Sequence, residues 1–566
     1  MIDHTQTDVL IVGGGGAGMR AAIEAASLGC QVLVANKGPV GRSGTTPMAM
    51  EAFQAVGFPG DSEEIHFRDT VEGGYHLGDE NLIAVLVQDA GRRAKDLEAY
   101  GVKFKKKSDG AFDPMHHPGQ TFPRALFIQG GGYGMLSALA REAGKHPAIR
   151  VLNDVLAVKL ILDRKGGASG AILLDLKDGR VRVLRSKAVV LATGGYEEVW
   201  ALNDASCTAC GDGVFLAYEA GAELVDLEML QYYPTVVIHP PSIRGTLFQY
   251  ELITDPDMLG GRLLNGKKKS FFEGKLLRDA IVRAIWKEIR AGQGTPHGGV
   301  YIDLVHSTKG REELARALEK WQPNQFHYLK DMGFDLRETL VEVAPHAHYT
   351  LGGVGIDEKA RTTVPGLFAA GELAGNLHGA NRVSGNALAE TQVFGALAGE
   401  SAAVWAKEKN FERSPEARDE MQQTRALLEG MGQKKGSGLR PFQVREELQR
   451  IMWDLCGVER AGEGLARGSR ELERVEKEMM PRMAFVAPAE DGSFGAYPRE
   501  VQETLEVRMM VTVGKLVLAS ALFRKETRGH HLRTDFPSPA REPMHTLIAR
   551  AKDPWGKKVK RRGPRG

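Results

Sequence analysis

The sequence predicts an α/β fold with more than one domain, and three observations indicate it. An apolar strand, a glycine-rich turn and an alanine-rich helix follow one another at the start of the chain. Apolar strand-like segments recur near residues 190 and 370, and charged segments with helical periodicity dominate after residue 410. At 566 residues the chain is too long for a single hydrophobic core, so two to four folding units are expected.

The beginning of the chain reads as strand, turn, helix and strand. The turn after the apolar strand 8–12 consists of small residues: Gly13, Gly15, Gly16, Ala17 and Gly18. Alanines then recur at helical spacing, and a second apolar strand follows at 31–35. Bare glycine amides at a helix N-terminus bind a pyrophosphate, so this segment predicts a dinucleotide site. Asn36 stands where an acidic residue is usual, and its amide can still hydrogen-bond a ribose hydroxyl.

Later segments are predicted to join the same sheet. Val181–Leu184 and Ala188–Gly195 read as strands, and Leu367–Glu372 is a further strand that ends in a glycine and a carboxylate. Since these strands lie far apart in the sequence, the stretch between them is expected to hold an insertion, a mobile α+β cap. Beyond residue 410 three amphipathic helices are predicted, at Glu416–Glu429, Phe442–Trp453 and Leu465–Met480.

We therefore expect five segments along the chain. They are a nucleotide-binding domain in two parts (1–235 and 341–408), an inserted capping domain (236–340), a C-terminal helical domain (409–540) and a basic tail (541–566). The run of lysine and arginine in the tail is typical of a solvated, disordered extension, and less often of an arm that docks on an acidic surface.

Composition and charge exclude several classes of protein. A formal net charge of +2 gives no basis for nucleic-acid binding, and no apolar run is long enough to span a bilayer. No signal peptide is expected, because the first strand begins within about ten residues of Met1. A cytoplasmic protein is therefore predicted, or one that is peripheral on the cytoplasmic face of a membrane through other subunits.

The chain contains four cysteines, which suits a reducing compartment and is too few for a set of iron–sulfur clusters. Cys207 and Cys210 have the spacing of a redox or metal pair, but no second pair accompanies them. A structural role is favoured for both, and no metal site is predicted.

Several further motifs stand in a fixed order. They are Lys37 with Arg42-Ser43, Ala192-Thr193-Gly194-Gly195, Gly211-Asp212-Gly213, Arg278-Asp279, His348–Gly353, Pro365–Glu372, His378–Leu388, Met452-Trp453 and Arg524–Gly529. In this order they resemble the flavoprotein subunits of succinate dehydrogenase and fumarate reductase, a family that also includes L-aspartate oxidase and adenylylsulfate reductase. The resemblance covers residues 8–536 and implies a Rossmann-like FAD-binding domain with an inserted α+β capping domain and a C-terminal helical domain.

The resemblance implies FAD as the cofactor. The matching positions form the expected FAD site: Gly13, Gly15, Gly16, Ala17, Gly18, Asn36, Lys37, Ser43, Gly44, Thr45, Ala192, Thr193, Gly194, Asp212, Glu372, Arg382, Gly385, Asn386, Ala387 and Leu388. The covalent flavin histidine of the family would follow Ser43, where this chain has Gly44. Because glycine carries no nucleophile, non-covalent FAD is expected, which tilts the chemistry towards reduction of the substrate.

The resemblance also implies three catalytic residues. Arg278 matches the arginine that delivers or removes the substrate proton while the flavin handles the hydride, a task that needs a neighbouring carboxylate and a dry site. His348 and Arg382 match groups that bind a substrate carboxylate, the arginine as a planar fork. Thr254 matches a threonine that hydrogen-bonds a carboxylate. Taken alone, Arg278-Asp279 would favour an ordinary ion pair within a helix.

The substrate site departs from the family in two places. Tyr233 stands where the family has a carboxylate-binding histidine, and a phenol donates one hydrogen bond but carries no positive charge at neutral pH. The loop Asp255–Gly261 is one residue shorter, its glutamate is an aspartate and its arginine is missing. One carboxylate pocket is therefore expected to be remodelled, and a larger or less charged group at that end would fit it.

These residues predict the catalytic flavoprotein subunit of a fumarate reductase or succinate dehydrogenase-type enzyme. It would transfer a hydride between FAD N5 and a C4-dicarboxylate or related unsaturated acid, with electrons from a separate iron–sulfur subunit or a soluble donor. An L-aspartate oxidase or a dehydrogenase of a substituted succinate is one alternative. An electron-transfer flavin subunit without its own substrate is another, and the retained Arg278, His348 and Arg382 argue against it.

Overall fold

The computed structural model describes residues 4–50, 52–56, 59–272, 277–321, 323–411, 426, 438–484, 493–550 and 557–562. Within these ranges the helices are α1 (Gly16–Ser27), α2 (Glu63–Gly73), α3 (Glu80–Ala99), α4 (Gly131–Ala143), α5 (Asp212–Glu219), α6 (Tyr250–Ile253), α7 (Arg278–Arg290), α8 (Arg311–Trp321), α9 (Pro323–Asp331), α10 (Asn386–Lys407), α11 (Pro441–Cys456), α12 (Gly462–Arg474) and α13 (Arg499–Phe523). The strands are β1 (His4–Val12), β2 (Val32–Asn36), β3 (Ala52–Gln54), β4 (Ala125–Phe127), β5 (Ile149–Asn153), β6 (Val155–Leu162), β7 (Ala168–Asp175), β8 (Val181–Leu191), β9 (Leu224–Val225), β10 (Leu230–His239), β11 (Arg262–Leu264), β12 (Val300–Asp303), β13 (Val341–Thr350), β14 (Gly353–Val354), β15 (Leu367–Ala369), β16 (Glu459–Arg460), β17 (Leu532–Arg533), β18 (His545–Arg550) and β19 (Lys557–Arg562).

The central sheet joins segments that are far apart in the sequence. Its parallel part has the order β5-β2-β1-β8, with β15 parallel to the end of β8, and the antiparallel pair β7-β6 completes it. The two strands predicted at 181–184 and 188–195 form the single strand β8, because Arg185 and Lys187 alternate with buried residues along it. In such sheets ligands bind at the carboxyl ends of the strands. The predicted α/β class, with its Rossmann-like sheet, is confirmed.

A second, antiparallel sheet has the order β10-β13-β12-β11. Together with α7, α8 and α9 it encloses a separate hydrophobic cluster, whose buried members all come from residues 233–343. The main cluster instead gathers side chains from the central sheet, its helices and α11–α13. The inserted segment thus contributes a core of its own. The domain boundaries proposed from the sequence stay a prediction.

The helical part near the C-terminus contains two of the three predicted amphipathic helices. Phe442–Trp453 lies within α11, and Leu465–Met480 covers most of α12 and the helical turns that follow it. The third, Glu416–Glu429, lies outside the described residues apart from Ala426. No helix in the described ranges has both the length and the apolar character needed to cross a membrane.

The end of the chain differs from the expected solvated tail. β18 pairs with β9 on one side and with β19 on the other, and His545–Ile548 are buried. Nδ1 of the His545 imidazole lies 2.6 Å from the buried carboxylate of Asp226, which also accepts a hydrogen bond from the Thr546 amide. The basic composition did not indicate this pairing, because a run of charged residues is typical of an edge strand of a sheet as well as of a disordered extension.

Candidate active site

One cavity of about 410 Å³ connects the glycine-rich turn with the inserted segment. Most of the predicted cofactor residues line it: Gly13, Gly15, Gly16, Ala17, Asn36, Lys37, Ser43, Gly44, Thr45, Ala192, Thr193, Gly194, Asp212, Glu372, Arg382, Gly385, Ala387 and Leu388. Arg278, His348 and Tyr233 line it as well. Gly18, Asn386 and Thr254 do not. The structure therefore brings the three predicted catalytic residues and most of the predicted cofactor residues together in one space.

The glycine-rich turn leaves no room for side chains on its inner side. Gly13 has φ +109°, and a Cβ there would lie 2.2 Å from the Ala192 carbonyl oxygen. A Cβ on Gly18 would lie 1.9 Å from the Gly13 oxygen, so Gly18 serves the close packing of turn and helix and does not touch the cavity. The α1 N-terminus therefore stays open to a phosphate group. These residues fit the pyrophosphate of a dinucleotide.

The two predicted cofactor asparagines are used differently from expectation. The Asn36 side-chain oxygen accepts a hydrogen bond from Gly14 N at 2.8 Å, and its nitrogen donates to Gly38 O and Ser43 Oγ. Its amide therefore ties the turn to the following loop. Asn386 is fully buried, 3.0 Å from His66 Nε2 and 3.2 Å from Thr70 Oγ1. It orients the start of α10 from behind the cavity.

Lys37 and Asp212 meet a partner from a distant part of the chain. The Lys37 ammonium lies 3.5 Å from Asp212 and 3.2 Å from Glu506, which belongs to α13. Burial alone would lower the pKa of Lys37, but Asp212 and Glu506 outweigh it and raise the pKa, so the group stays charged. Glu506 also pairs with Arg445 of α11 at 2.6 Å. The helical part of the chain thus holds one wall of the cofactor cavity.

Glu372 shares its surroundings with Glu197. The Thr350 amide donates to a carboxyl oxygen of each, at 3.2 Å and 2.9 Å. Burial, and then the proximity of Glu197, raise the pKa of Glu372 well above its usual value. The protonated form of Glu372 is therefore favoured, and the neighbouring Glu197 carboxylate is the acceptor for its proton.

Arg278 is the first residue of α7, where the helix dipole disfavours a cation. Its guanidinium donates to Gln231 Oε1 at 2.9 Å and lies 3.4 Å from Glu251 Oε1. It also stacks over Tyr233 and Tyr250, with 4.8 and 5.8 Å to the ring centres. Burial would lower its pKa, but the neighbours, Tyr250 and Glu251 foremost, raise it. Arg278 is thus protonated in any accessible buffer.

The sequence neighbour Asp279 plays no part in this arrangement. It is fully buried. Its carboxylate lies 2.5 Å from Arg283, which is also in α7, and accepts a 2.6 Å hydrogen bond from the Tyr75 hydroxyl. The ordinary helical ion pair therefore exists, but it is formed by Asp279 with Arg283. Arg278 instead faces the cavity.

Arg382 and His348 form the second polar wall. Arg382 Nη2 lies 3.5 Å from His348 Nε2, and its guanidinium stacks over the Tyr349 ring at 4.6 Å. Burial, and then Arg278, lower the pKa of Arg382 to about 10, so it is charged at neutral pH. His348 Nδ1 lies 3.0 Å from Asp204, and burial lowers its pKa, which favours the neutral ring. Arg382 can donate hydrogen bonds to a bound carboxylate. The neutral ring of His348 uses its Nδ1 hydrogen for Asp204, so Nε2 becomes a donor only when the ring is protonated.

Tyr233 and Thr254 have partners that the sequence did not indicate. The Tyr233 hydroxyl donates to Glu251 Oε2 at 3.3 Å, so its one donor is already occupied. Thr254 donates to the Tyr250 carbonyl oxygen at 3.1 Å and lines a second cavity, of about 400 Å³. Asp255 lines that second cavity too. Thr254 and Asp255 therefore lie outside the space that holds Arg278 and Arg382.

Sequence reasoning missed Glu251, Asp204 and His117, all of which line the main cavity. Glu251 lies on the short helix α6, one turn before Thr254, and that turn aims it at Arg278. A search for an acid one helical turn upstream of Thr254 would have found it. His117 lies in a loop that contains no motif, and its Nδ1 atom lies 3.0 Å from Ser384 Oγ.

The fold and the cavity define an FAD-dependent α/β oxidoreductase, and comparison with known families narrows this class. The family model described as FAD binding domain matches residues 8–388, and the model described as fumarate reductase flavoprotein C-term matches residues 445–560. The chain belongs to the succinate dehydrogenase and fumarate reductase flavoprotein family, and it is an FAD-dependent oxidoreductase of the type that acts on CH–CH groups.

Curated relatives and solved structures agree with this family. The chain is 35% identical to one of the subunits of the fumarate reductase (CoM/CoB) of Methanothermobacter marburgensis, over 97% of each chain. It is 31% identical to L-aspartate oxidase of Vibrio cholerae, over 96% of this chain and 98% of the relative. A solved structure of a mutated FrdA from E. coli quinol fumarate reductase superposes with a TM-score of 0.89 at 29% identity, and the match covers 100% of this chain and 97% of that one.

Proposed function

We propose that this chain is the catalytic subunit that reduces the carbon–carbon double bond of an unsaturated carboxylic acid, with FAD held non-covalently. One observation carries the proposal. Two buried guanidinium groups, Arg278 and Arg382, face the same cavity as the glycine-rich turn. A subunit that only transferred electrons would not need two buried guanidinium groups here, since the free energy of burying a charged group is unfavourable.

Arg382 and His348 would bind the carboxylate of the substrate. The Nε atom of Arg382 is buried without a hydrogen-bond partner, so a bound carboxylate would satisfy it. His348 would add a hydrogen bond through Nε2 once its ring is protonated, with Asp204 accepting the hydrogen of Nδ1. Charge on this carboxylate grows as the double bond is attacked, and the two groups would stabilise it.

Arg278 would supply the proton, and its Nε atom is likewise buried without a partner. Bound FAD supplies the hydride. Glu251 and Gln231 hold the guanidinium in one orientation, and the inserted segment keeps water away from it. Because neighbours raise the pKa of Arg278, the proton would leave only towards a carbanion-like carbon.

Gly44 supports the non-covalent mode. It has φ +87°, lines the cavity, and a Cβ there would meet nothing within 4 Å. The backbone can therefore approach the cofactor closely at the position where the family carries its flavin-linked histidine.

The electron donor would be a separate iron–sulfur subunit or a soluble protein. Of the four thiols, those of Cys30, Cys210 and Cys456 are buried, and Cys207 is exposed. Burial raises the pKa of each of the buried thiols, which makes them inert rather than metal-binding. Relatives named as subunits of larger reductases favour the first donor.

The experiment is reoxidation of the reduced flavin. The purified chain is reduced with dithionite, mixed with fumarate or a substituted enoate, and followed at the flavin absorbance. Arg278→Gln should slow reoxidation by about 10²–10⁴-fold, the usual contribution of a general acid. Arg290→Gln, at the exposed end of the same helix, is the matched control and should change nothing. Full activity of Arg278→Gln, or no reoxidation by any unsaturated acid, would contradict the proposal.

An L-aspartate oxidase is the second candidate. The similarity to such an enzyme and the carboxylate of Glu251 in the cavity favour it, since an ammonium group could pair with that carboxylate. Aspartate and oxygen should then yield hydrogen peroxide at a rate that exceeds reoxidation by unsaturated acids.

A further inference from the structure

We infer that the substrate of this site carries one carboxylate and that its other end is a neutral group which extends into the second cavity. The inference rests on the proposed function and names its substrate class as 2-enoic monocarboxylic acids with a substituent on the β-carbon. Two independent features support it, the charge balance of the main cavity and the position of the second one.

Several charges at the substrate end of the main cavity already have a partner before substrate enters. Its two guanidinium groups, Arg278 and Arg382, face two carboxylates, Glu251 and Asp204. His348 adds a positive charge only when it is protonated. Two further acids lie near Arg382: Glu372, whose pKa is raised by burial and by Glu197, and Glu390, which is occupied by Tyr349 and His378 at 2.7 and 2.8 Å. Glu251 contacts Arg278 and Asp204 contacts His348, so Arg382 is the cation that can pair with a substrate carboxylate, and the described lining of this end offers no second one.

A second carboxylate would meet Glu251. That side chain is 10% exposed and takes both the Arg278 contact and the Tyr233 hydroxyl, so these two groups, which could have bound an anion at this end, bind Glu251 instead. Two like charges about 4 Å apart in partly buried surroundings weaken binding by roughly a thousandfold. A neutral group, or one that donates a hydrogen bond to Glu251, avoids this cost.

The second cavity offers room for such a group. It has about 400 Å³ and shares three residues with the main cavity: His117, Gln249 and Glu251. Beyond this common wall it is lined mainly by apolar side chains, among them Met115, Met258 and Leu277. An alkyl or aryl substituent on the β-carbon that passes Glu251 would be buried there.

The reaction balances for this substrate class. Bound FAD in its reduced form would supply two electrons and one hydrogen to one alkene carbon as a hydride, and Arg278 would give the other carbon a proton that solvent replaces after turnover. Two C–H bonds form, the π bond is lost, and the products are a saturated monocarboxylate and oxidised FAD. The electron donor of the proposed function then restores the reduced flavin.

The first test compares four oxidants of the dithionite-reduced holoprotein: fumarate, monoethyl fumarate, crotonate and trans-2-hexenoate. Each methylene buried in the second cavity gains about fourfold, so hexenoate, with two more methylenes, should exceed crotonate about fifteenfold in kcat/KM. Monoethyl fumarate should exceed fumarate by at least tenfold. Fumarate equal to or better than its monoester overturns the inference while the proposed function stands. Failure of all four oxidants overturns the proposed function, and the inference with it.

The second test substitutes residues that line the two cavities. Glu251→Gln removes the negative charge and should raise the ratio of kcat/KM for fumarate to that for hexenoate at least tenfold, because the ratio cancels any general effect on Arg278. Met258→Trp should lower the ratio of hexenoate to crotonate about tenfold, since the indole fills the second cavity. Met332→Trp, the same change at an exposed methionine outside both cavities, is the control. Unchanged ratios in both Glu251→Gln and Met258→Trp, at full flavin content, overturn the inference.

Discussion

Replacement of Gly18 by alanine tests the cofactor cradle, which the proposed function requires. The glycine lies in the first turn of α1 and is buried against the glycine-rich turn. A Cβ added there would lie 1.9 Å from the Gly13 carbonyl oxygen and 2.9 Å from its carbon. The contact is with backbone, so no flexible side chain can move aside.

The magnitude follows from this distance. An ordinary carbon–oxygen contact is about 3.4 Å, so turn and helix must separate by more than about 1 Å, and such overpacking costs about 1–3 kcal/mol. The higher helix propensity of alanine relative to glycine offsets about 0.5–1 kcal/mol of this cost. The larger effect is on the cofactor. Displacement of the turn weakens charge-assisted hydrogen bonds to the pyrophosphate, each of which contributes about 1.5–3 kcal/mol. FAD affinity should therefore fall at least tenfold.

The assay measures FAD per protein after gel filtration, together with the dissociation constant from flavin fluorescence. Gly464→Ala is the matched control, because this glycine also lies in a helix and an added Cβ would meet nothing closer than 3.8 Å. The control should keep its FAD and gain a little stability. If Gly18→Ala binds FAD as tightly as the wild type, the cradle does not bind the pyrophosphate and our reasoning is refuted.

Three further predictions concern the cofactor and the stability of the fold. Acid precipitation should release all flavin into the supernatant, since Gly44 cannot form a covalent link, and a yellow pellet would contradict non-covalent binding. Burial lowers the pKa of His66 to about 4. The folded state therefore favours the neutral imidazole. The resulting contribution to the free energy of unfolding, about 3 kcal/mol in all, is fully present above pH 6.5 and is lost as the pH falls towards 4. His66→Gln should flatten the fall in melting temperature between pH 7 and 5, and an unchanged slope would count against this assignment. Glu506→Gln should lower the free energy of unfolding in urea by about 3–5 kcal/mol, because it leaves Lys37 buried with only one partner. Glu503→Gln on the same helix is the control, and equal effects of the two changes would disprove the role of the ion pair.

Much of the fold could be predicted because local patterns carry it. Alternating and continuous apolar runs marked the strands of the central sheet, and the glycine spacing marked the turn between β1 and α1. The pairing of β18 could not be predicted, since its partner β9 is a two-residue strand more than 300 positions away. No local pattern encodes a contact at that separation.

The candidate site, too, could be predicted only in part from the sequence. Arg278, His348 and Arg382 stood out because motifs surround them, and all three line one cavity. Thr254 and Asn386 stood out for the same reason, yet their side chains turn towards backbone and neighbouring helices. A motif fixes which residue type stands at a position, while the direction of its side chain depends on how the elements pack.

The sequence by itself determined the family, the FAD cofactor and the absence of a flavin-linked histidine at Gly44, because each depends on residue types at short spacings. Only the tertiary structure decided the charge balance. Glu251, Asp204 and Glu506 come from three separate segments, and their effect on Arg278, His348 and Lys37 arises from distances of about 3–3.5 Å that folding creates. Electrostatic interactions depend on separation in space, which the order of residues along the chain does not give.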